Sequence, residues 1–529
     1  MPLDATRKET LHASQHTVTR PLCLKDGLLI ALAIAAFFYL TWFRRHGIFW
    51  DDEIMGWTTL IQPTWPQLIR VWWSGVDSSG LWFYIFARPW LQAFGWTELS
   101  LHLWSAFFVG LSFLVTWVCA RRYASLLTVA FFTPLIYLGN RQVATQLCNG
   151  RCYGIVLLAV AIASYALLRT DPAEPDFRGT RPALLSFLGF LLLTGSHMLG
   201  MLFWGVFVAG FCLRDLVTRV FQWKVYLGAL AALLLVVPIS WRNIQSTINM
   251  GKPVFWTSNP TLSDFFLGFG DYSAQATLLL VGLLLVFLGL FFRQPALVRG
   301  PLVPRSRISI YCLLAVFPTL CVLMFALSLL GKSIYIDRYL IPVIIGNILA
   351  LCELTTRIEL LKPFSQSVRW CFAGFATVLI GGLFVFNLHR QGLPGRDISG
   401  PLLQTLPAAK PVVITDAGLF IVTIHYHNND RELLTPTDWS IQLDPDYGSG
   451  KGGGGASYLH EMEDWKSMGI YADHILSTQQ LLEKYRSFVV ISNREHTLWF
   501  RRYIANSHAY RIEELPSSND LDIWRVEAR

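Results

Sequence analysis

Apolar stretches close to bilayer thickness recur along the first three quarters of this chain, and no other feature narrows its possible folds as much. They fall at 28–43, 99–120, 124–138, 154–168, 183–198, 200–213, 225–240, 273–292, 309–330, 340–355 and 370–388. A helix of about 20 apolar residues crosses the hydrocarbon core and satisfies its own backbone, which irregular chain facing lipid cannot do. The pattern predicts an α-helical polytopic membrane protein with eleven spans. Composition agrees: 15% of the 529 residues are charged, against about a quarter in a soluble chain. Residues 1–24 are polar and lack an apolar signal core, so we expect a cytoplasmic tail and a first span that directs insertion.

Lys and Arg in the loops set the expected orientation. Nineteen fall in the N-terminal tail and the loops on its side, including Arg121, Arg122, Arg214, Arg307 and Arg357. The opposite short loops hold six: Arg141, Arg151, Arg242, Lys252, Lys332 and Arg338. The bias predicts a cytoplasmic N-terminus, a membrane domain over 25–388 and an extracytoplasmic segment over 389–529. That last segment has no membrane-length run. It carries 14 Lys/Arg against 18 Asp/Glu, so the overall +8 charge is topological and gives no reason to invoke nucleic acid. Short apolar runs at 411–415 and 488–492, with a helical stretch such as 479–486 between, predict a soluble α/β domain. The nine cysteines show no metal-ligand or disulfide spacing. Gly448–Gly455 surrounds a lysine, but the spacing is not that of a phosphate loop.

The first outward loop, 44–98, carries the chemistry. Asp51-Asp52-Glu53 follows the first span almost directly, among Trp42, Phe49, Trp50 and Trp57. Carboxylates so near a bilayer need water or a charged partner. Transfer of a sugar from a lipid phosphate to a hydroxyl needs one carboxylate to take the acceptor proton. It also needs cations for the departing phosphate. Arg44, Arg45, Arg141, Arg151, Arg242, Lys332 and Arg338 are the outward cations. Arg44 and Arg45 stand out because they break the charge bias. Trp65–Trp73 and Leu81–Phe94 read as amphipathic helices lying on the membrane.

Four stretches carry a resemblance. Phe49-Trp50-Asp51-Asp52-Glu53 is similar to the acidic motif of polyprenyl-phosphate-sugar-dependent glycosyltransferases of the GT-C superfamily. That group includes protein O-mannosyltransferases and the lipid A aminoarabinose transferase. Phe94–Ala106 resembles the family's entry to the second span, with His102 where Arg is usual. Asn149-Gly150-Arg151-Cys152-Tyr153-Gly154 resembles the E-A-R-P-Y-G stretch, with Asn149 in place of Glu. Asp337-Arg338-Tyr339-Leu340-Ile341-Pro342 matches an RYLxP motif. Ser78-Ser79-Gly80-Leu81-Trp82-Phe83 departs from the family's H-P-P-L-Y-Y.

The resemblance implies a GT-C membrane domain and inverting transfer at the outer face of a bacterial inner membrane. The donor would be a polyprenyl-phosphate sugar, and the acceptor a lipid, glycan or protein hydroxyl. Asp52 is then the general base and Glu53 its neighbour. Asp51 is a spare, or a cap for a helix starting near Ile54. Adjacent helical residues point about 100° apart, so only one carboxylate of the pair can face the acceptor. Arg151 and Arg338 are the phosphate binders, because a guanidinium can grip two oxygens. Tyr153 and Tyr339 pack beside them, and His197 lies at an outer turn where the family often has histidine. A single phosphate requires no metal, although Asp52 and Glu53 could hold a divalent ion. Two other readings fit many spans with charged ends: a lipid or polysaccharide transporter, and an inactive scaffold of the same fold.

Overall fold

The computed structural model describes residues 22–529 except 173, 175–178, 251–258, 270–273, 294–306, 331–332, 362–363, 390–398, 408–409, 439, 442–443, 445, 448–454, 494–497 and 517–520. Most of the N-terminal tail, Lys252, Lys332 and nearly all of the glycine-rich stretch therefore lie outside the described residues. Helices occupy the apolar runs. In chain order they are α1 (Leu24–Phe43), the loop helices α2 (Asp51–Leu60), α3 (Trp65–Trp73) and α4 (Leu81–Phe94), then α5 (Glu98–Arg121), α6 (Leu126–Gly139), the short α7 (Arg141–Gln146) and α8 (Tyr153–Arg169). There follow α9 (Thr180–Ser196), α10 (Gly200–Thr218), α11 (Trp223–Met250), α12 (Leu262–Phe269), α13 (Ala274–Arg293), α14 (Ile308–Leu330), the single turn α15 (Asp337–Leu340), α16 (Val343–Leu361) and α17 (Gln366–His389).

Helices α1, α5, α10, α11, α14 and α17 are long and apolar enough to cross a membrane. Their outward faces fit lipid rather than water: α17 exposes Trp370, Phe375, Val378 and Phe386, and α11 exposes Leu227, Leu234 and Leu235. A soluble protein rarely shows so continuous an apolar surface. The long run 183–213 does split, at the reversal His197–Leu199 between α9 and α10. Gly200 permits that turn, since a Cβ there would lie 1.8 Å from the Leu193 carbonyl oxygen.

Helix α2 starts at Asp51, three residues before the expected position, with Trp50 as the capping residue. Asp51 is therefore inside the first turn and is not a cap for a helix beginning near Ile54. Glu53 does the reciprocal work, its Oε2 accepting the Trp50 backbone N–H at 3.3 Å. All three carboxylates sit in the positive first turn of the helix. Thr64 caps α3, accepting from the Gln67 N–H at 3.4 Å.

Beyond α17 come α18 (Ser399–Thr405), β1 (Val412–Ile414), α19 (Ala417–His427), β2 (Leu433–Pro436), α20 (Gly455–Ser467), β3 (Ile475–Leu476), α21 (Thr478–Lys484), β4 (Ser487–Asn493), α22 (Leu498–Ser507), β5 (Tyr510–Leu515) and β6 (Leu521–Ala528). The strand order is β3-β2-β1-β4-β6-β5. β1 pairs in parallel with β2 and β4, and β2 with β3. β6 is antiparallel to both β4 and β5.

Both faces of this sheet are covered, which explains the unbroken apolar runs of β1 and β4. Alternate residues divide between two clusters. Val413, Phe488 and Val490 pack with Trp499, Phe500 and Trp524 on the far side. Val412, Ile414, Val489 and Ile491 share a second cluster with Phe49, Ile54, Leu81, Leu101 and Trp104 of the membrane domain. The sheet is thus seated on the loop that carries the acidic triplet. Helix α19 lies against α2. Tyr426 pins this junction, its hydroxyl accepting from Phe49 N at 2.7 Å and donating to Glu98 Oε1 at 2.5 Å. The opposite end of the bundle is tied by buried ion pairs, such as Arg121–Asp26 at 2.7 Å.

Candidate active site

Asp52 is the hub of a buried charged cluster under the C-terminal domain. Its Oδ2 lies 2.7 Å from Arg338 Nη1, and both side chains are more than four-fifths buried. Arg151 donates from Nη1 to the Asp52 carbonyl oxygen at 2.5 Å. Three separate chain segments, α2, the turn before α8, and α15, therefore converge on one point. Burial alone would raise the Asp52 carboxyl, but the Arg338 and Arg151 guanidinium groups outweigh it and hold Asp52 below its ordinary value. The arginine positions are set by packing. Arg338 lies over the Trp50 ring at 5.6 Å and over Tyr339 at 5.5 Å, and Tyr339 lies beside Tyr153 at 6.4 Å between ring centres.

Asp77 was not singled out by sequence. It forms a 2.8 Å ion pair with Arg151 in which both side chains are almost completely buried. Its Oδ1 accepts the Ser79 N–H at 3.0 Å, and its Oδ2 accepts the Tyr84 hydroxyl at 2.5 Å. Asn243 holds the preceding turn from α11, donating to Trp72 O at 2.7 Å. A buried guanidinium needs an anion. Outside the triplet, the loop 44–98 contains only Asp77 and Glu98 as further carboxylates. That balance was the available signal.

Adjacent carboxylates diverge as helical geometry requires. Asp52 faces Arg338, while Glu53 turns inward, 1% exposed. Glu53 Oε1 meets His102 Nε2 at 2.8 Å and accepts the Gly150 N–H at 2.5 Å. Gly150 has no room for a side chain there, because a Cβ would lie 2.5 Å from Leu101 Cγ. Glu53 is thereby a buried strut joining α2, α5 and the Arg151 turn. Asp51 Oδ1 accepts the Asp52 N–H at 2.8 Å, and Asp51 Oδ2 abuts Gly418 of α19, where a Cβ would come within 2.9 Å.

His197 reaches the same cluster. A short antiparallel bridge joins it to Ser79, and Gly80 donates to Ser196 O at 3.1 Å. A Cβ on Gly80 would lie 2.2 Å from the Gly195 carbonyl, so the loop can close on this turn only through glycine. His197 Nδ1 accepts the Leu199 N–H at 3.1 Å, which leaves the proton of a neutral ring on Nε2. That Nε2 is buried without a hydrogen-bond partner among the described residues. Burial first, then the charges of Arg151 and Arg338, depress the imidazole to about 3, so it is neutral near pH 7.

Arg44 and Arg45 are not part of this cluster. Arg44 is buried and donates to the Asn387 carbonyl oxygen, and Arg45 lies 4.3 Å over the Trp42 ring. The Arg44 bond ties the end of α1 to α17, and Arg45 stacks on an interfacial tryptophan. Among the described residues, no group of three or more His, Cys, Asp or Glu side chains is arranged to hold a metal ion.

Comparison with solved structures places this architecture. The chain is similar to ArnT from Cupriavidus metallidurans bound to undecaprenyl phosphate, with a TM-score of 0.56 at 13% identity over 94% of this chain and 97% of that one. The apo form of the same ArnT gives a TM-score of 0.57 at the same identity and coverage. The shared feature is the fold: a polytopic helical domain with a C-terminal α/β domain. No family model matches the chain, and no curated protein matches it by sequence.

Proposed function

We propose that the protein is an inverting, membrane-embedded glycosyltransferase that moves a monosaccharide from a polyprenyl-phosphate donor to a hydroxyl acceptor. The observation that carries this reading is the Asp52–Arg338 pair, with Arg151 on the Asp52 carbonyl, at the base of the seated C-terminal domain. The ArnT fold supports it, and the ArnT complex holds undecaprenyl phosphate. By the loop-charge bias this end of the bundle faces outward, at a bacterial inner membrane.

In the mechanism, Arg338 and Arg151 take the donor phosphate, and the neutral His197 Nε2–H adds a third donor. Arg338 cannot serve the phosphate and Asp52 equally. As the phosphate draws its charge, the pull on Asp52 weakens and the carboxylate becomes a better base, so proton removal is favoured when the donor is in place. The acceptor oxygen then bonds to the anomeric carbon as its proton moves to Asp52. The anomeric carbon–oxygen bond breaks, and its electron pair stays on the polyprenyl phosphate, which leaves as a monoester held by the two guanidinium groups. Attack opposite the leaving group inverts the anomeric centre. Glu53 is a positioning residue here, and Tyr153 and Tyr339 shape the wall around the arginines.

A transporter would concentrate its polar groups near the bilayer midplane, whereas this cluster is built from loops and helix ends. An inactive scaffold of the same fold would keep the cluster but not turn over. The test is transfer by the purified protein from radiolabelled undecaprenyl-phosphate sugars to lipid, glycan and peptide acceptors. Labelled product that disappears with Asp52→Asn is the expected result. Donor binding without product for any acceptor would favour the scaffold.

A further inference from the structure

The loop side of the site presents Asp51, Asp52 and Asp77, and the C-terminal domain adds a fourth carboxyl, Glu461 of α20. Met462 and Trp465 on the same helix are fully buried in the cluster that holds Phe49, Ile54 and Leu81. Helix α20 also packs on α19, which lies against α2. The helix is therefore wedged between the sheet and the acidic loop, with Glu461 within electrostatic reach of Asp52, Asp77, Asp51 and Arg151. Its Oε2 is sealed from solvent and has no hydrogen-bond partner among the described residues. The side chain as a whole is half-buried, but an oxygen in that condition is costly unless a ligand completes it.

We propose that Glu461 is a substrate-binding residue, contributed by the C-terminal domain, that hydrogen-bonds a hydroxyl of the transferred sugar. This rests on the glycosyltransferase reading above. Burial raises the Glu461 carboxyl most, and the charges of Asp52, Asp77 and Asp51 raise it further, with Arg151 offsetting them in part, which favours the protonated form. A neutral carboxylic acid both donates and accepts. That matches a sugar hydroxyl, which does the same. The phosphate is an acceptor already served by two guanidinium groups, and the acceptor proton goes to Asp52. The sugar ring is the part of the donor still in need of a polar wall, and Glu461 provides it without taking part in bond making. The C-terminal domain is then part of the active site, and sugar selection depends on its being seated.

The test uses the full-length protein in detergent or nanodiscs and two probes. One is undecaprenyl phosphate without sugar; the other is whichever undecaprenyl-phosphate pentose or hexose the wild type binds best. Glu461→Ala should bind the sugar-free lipid as the wild type does and the sugar-loaded lipid about tenfold more weakly, the scale of one buried hydrogen bond. Glu461→Gln, neutral and able to donate and accept, should stay near the wild type with both. Equal loss on both probes means a structural role for Glu461, and no loss on either means no role. A Gln variant as weak as Ala means that the residue acts as an anion. Each of these results overturns the proposal. If the wild type binds neither lipid, the glycosyltransferase reading itself fails.

Discussion

Asp77 offers the sharpest separation of folding from chemistry. It is the counter-charge of Arg151 at 2.8 Å, with 1% and 3% of the two side chains exposed. Replacing it by Ala strands a buried guanidinium and also removes the acceptor of the Tyr84 hydroxyl. Breaking one side of such a pair costs about 3–5 kcal/mol. Asp77→Asn should cost nearly as much. Both carboxylate oxygens are in use, and the amide offers one acceptor and points an N–H₂ at a donor. Replacing the whole pair by apolar residues is typically close to neutral, so Asp77→Leu with Arg151→Met should recover most of the stability while losing donor binding. Thermal unfolding of detergent-solubilised protein is the assay, with and without undecaprenyl phosphate. A bound phosphate gives the stranded Arg151 a partner, so the lipid should raise the melting temperature of Asp77→Ala more than that of the wild type. If Asp77→Ala melts with the wild type and responds no differently to lipid, Arg151 does not depend on Asp77 and the account of this pair is wrong.

Other perturbations test the remaining groups. Asp52→Asn keeps size and hydrogen bonding but cannot take a proton, so turnover in the transfer assay should fall by roughly 10²–10⁴ while donor binding persists. Asp51→Asn should cost least of the triplet. Because Asp52 is held below its ordinary value chiefly against burial and by Arg338, removing that charge leaves the burial. Arg338→Gln should therefore raise the Asp52 pKa and move the acid limb of kcat/KM to higher pH; an unmoved limb would detach it from Asp52. Tyr426→Phe leaves Phe49 N and Glu98 without their shared hydroxyl, at a cost of about 1–3 kcal/mol, and limited proteolysis between the two domains should quicken.

The spans were legible because lipid permits few solutions: a long apolar run must be a helix, and the outward-facing leucines and phenylalanines of α11 and α17 show the same constraint from the other side. The strands at 411–415 and 488–492 were legible for a related reason, since a sheet covered on both faces has no polar alternation to hide it. Of the site, Asp52, Arg151 and Arg338 were legible because they lie in the stretches that carry the family resemblance, at outward helix ends, and His197 because it lies at an outer turn where that family often has histidine. Glu53 was visible but its job was not. Its partners, His102 and Gly150, come from segments 49 and 97 residues away. Glu461 is still more remote, on a helix whose placement depends on the apolar seam between two domains.

That remoteness also explains how the motif departures are accommodated. Asn149 stands where the resemblance leads one to expect Glu, and by itself that would remove an anion next to Arg151. Carboxylates from the first loop take its place. Asp77 balances the Arg151 guanidinium, and Glu53 takes the Gly150 N–H one residue beyond Asn149. His102, in place of arginine, is short enough to meet Glu53 at 2.8 Å between α2 and α5 without adding a second permanent positive charge. The stretch without the His-Pro-Pro pattern works through glycine instead, Gly80 closing on Gly195 and Ser196 so that the Ser79 bridge reaches His197. A site whose motif residues change singly but whose charges still balance pairwise, Asp52 with Arg338 and Arg151 with Asp77, keeps what the proposed donor phosphate would need: two guanidinium groups whose partners can be partly displaced by an incoming anion.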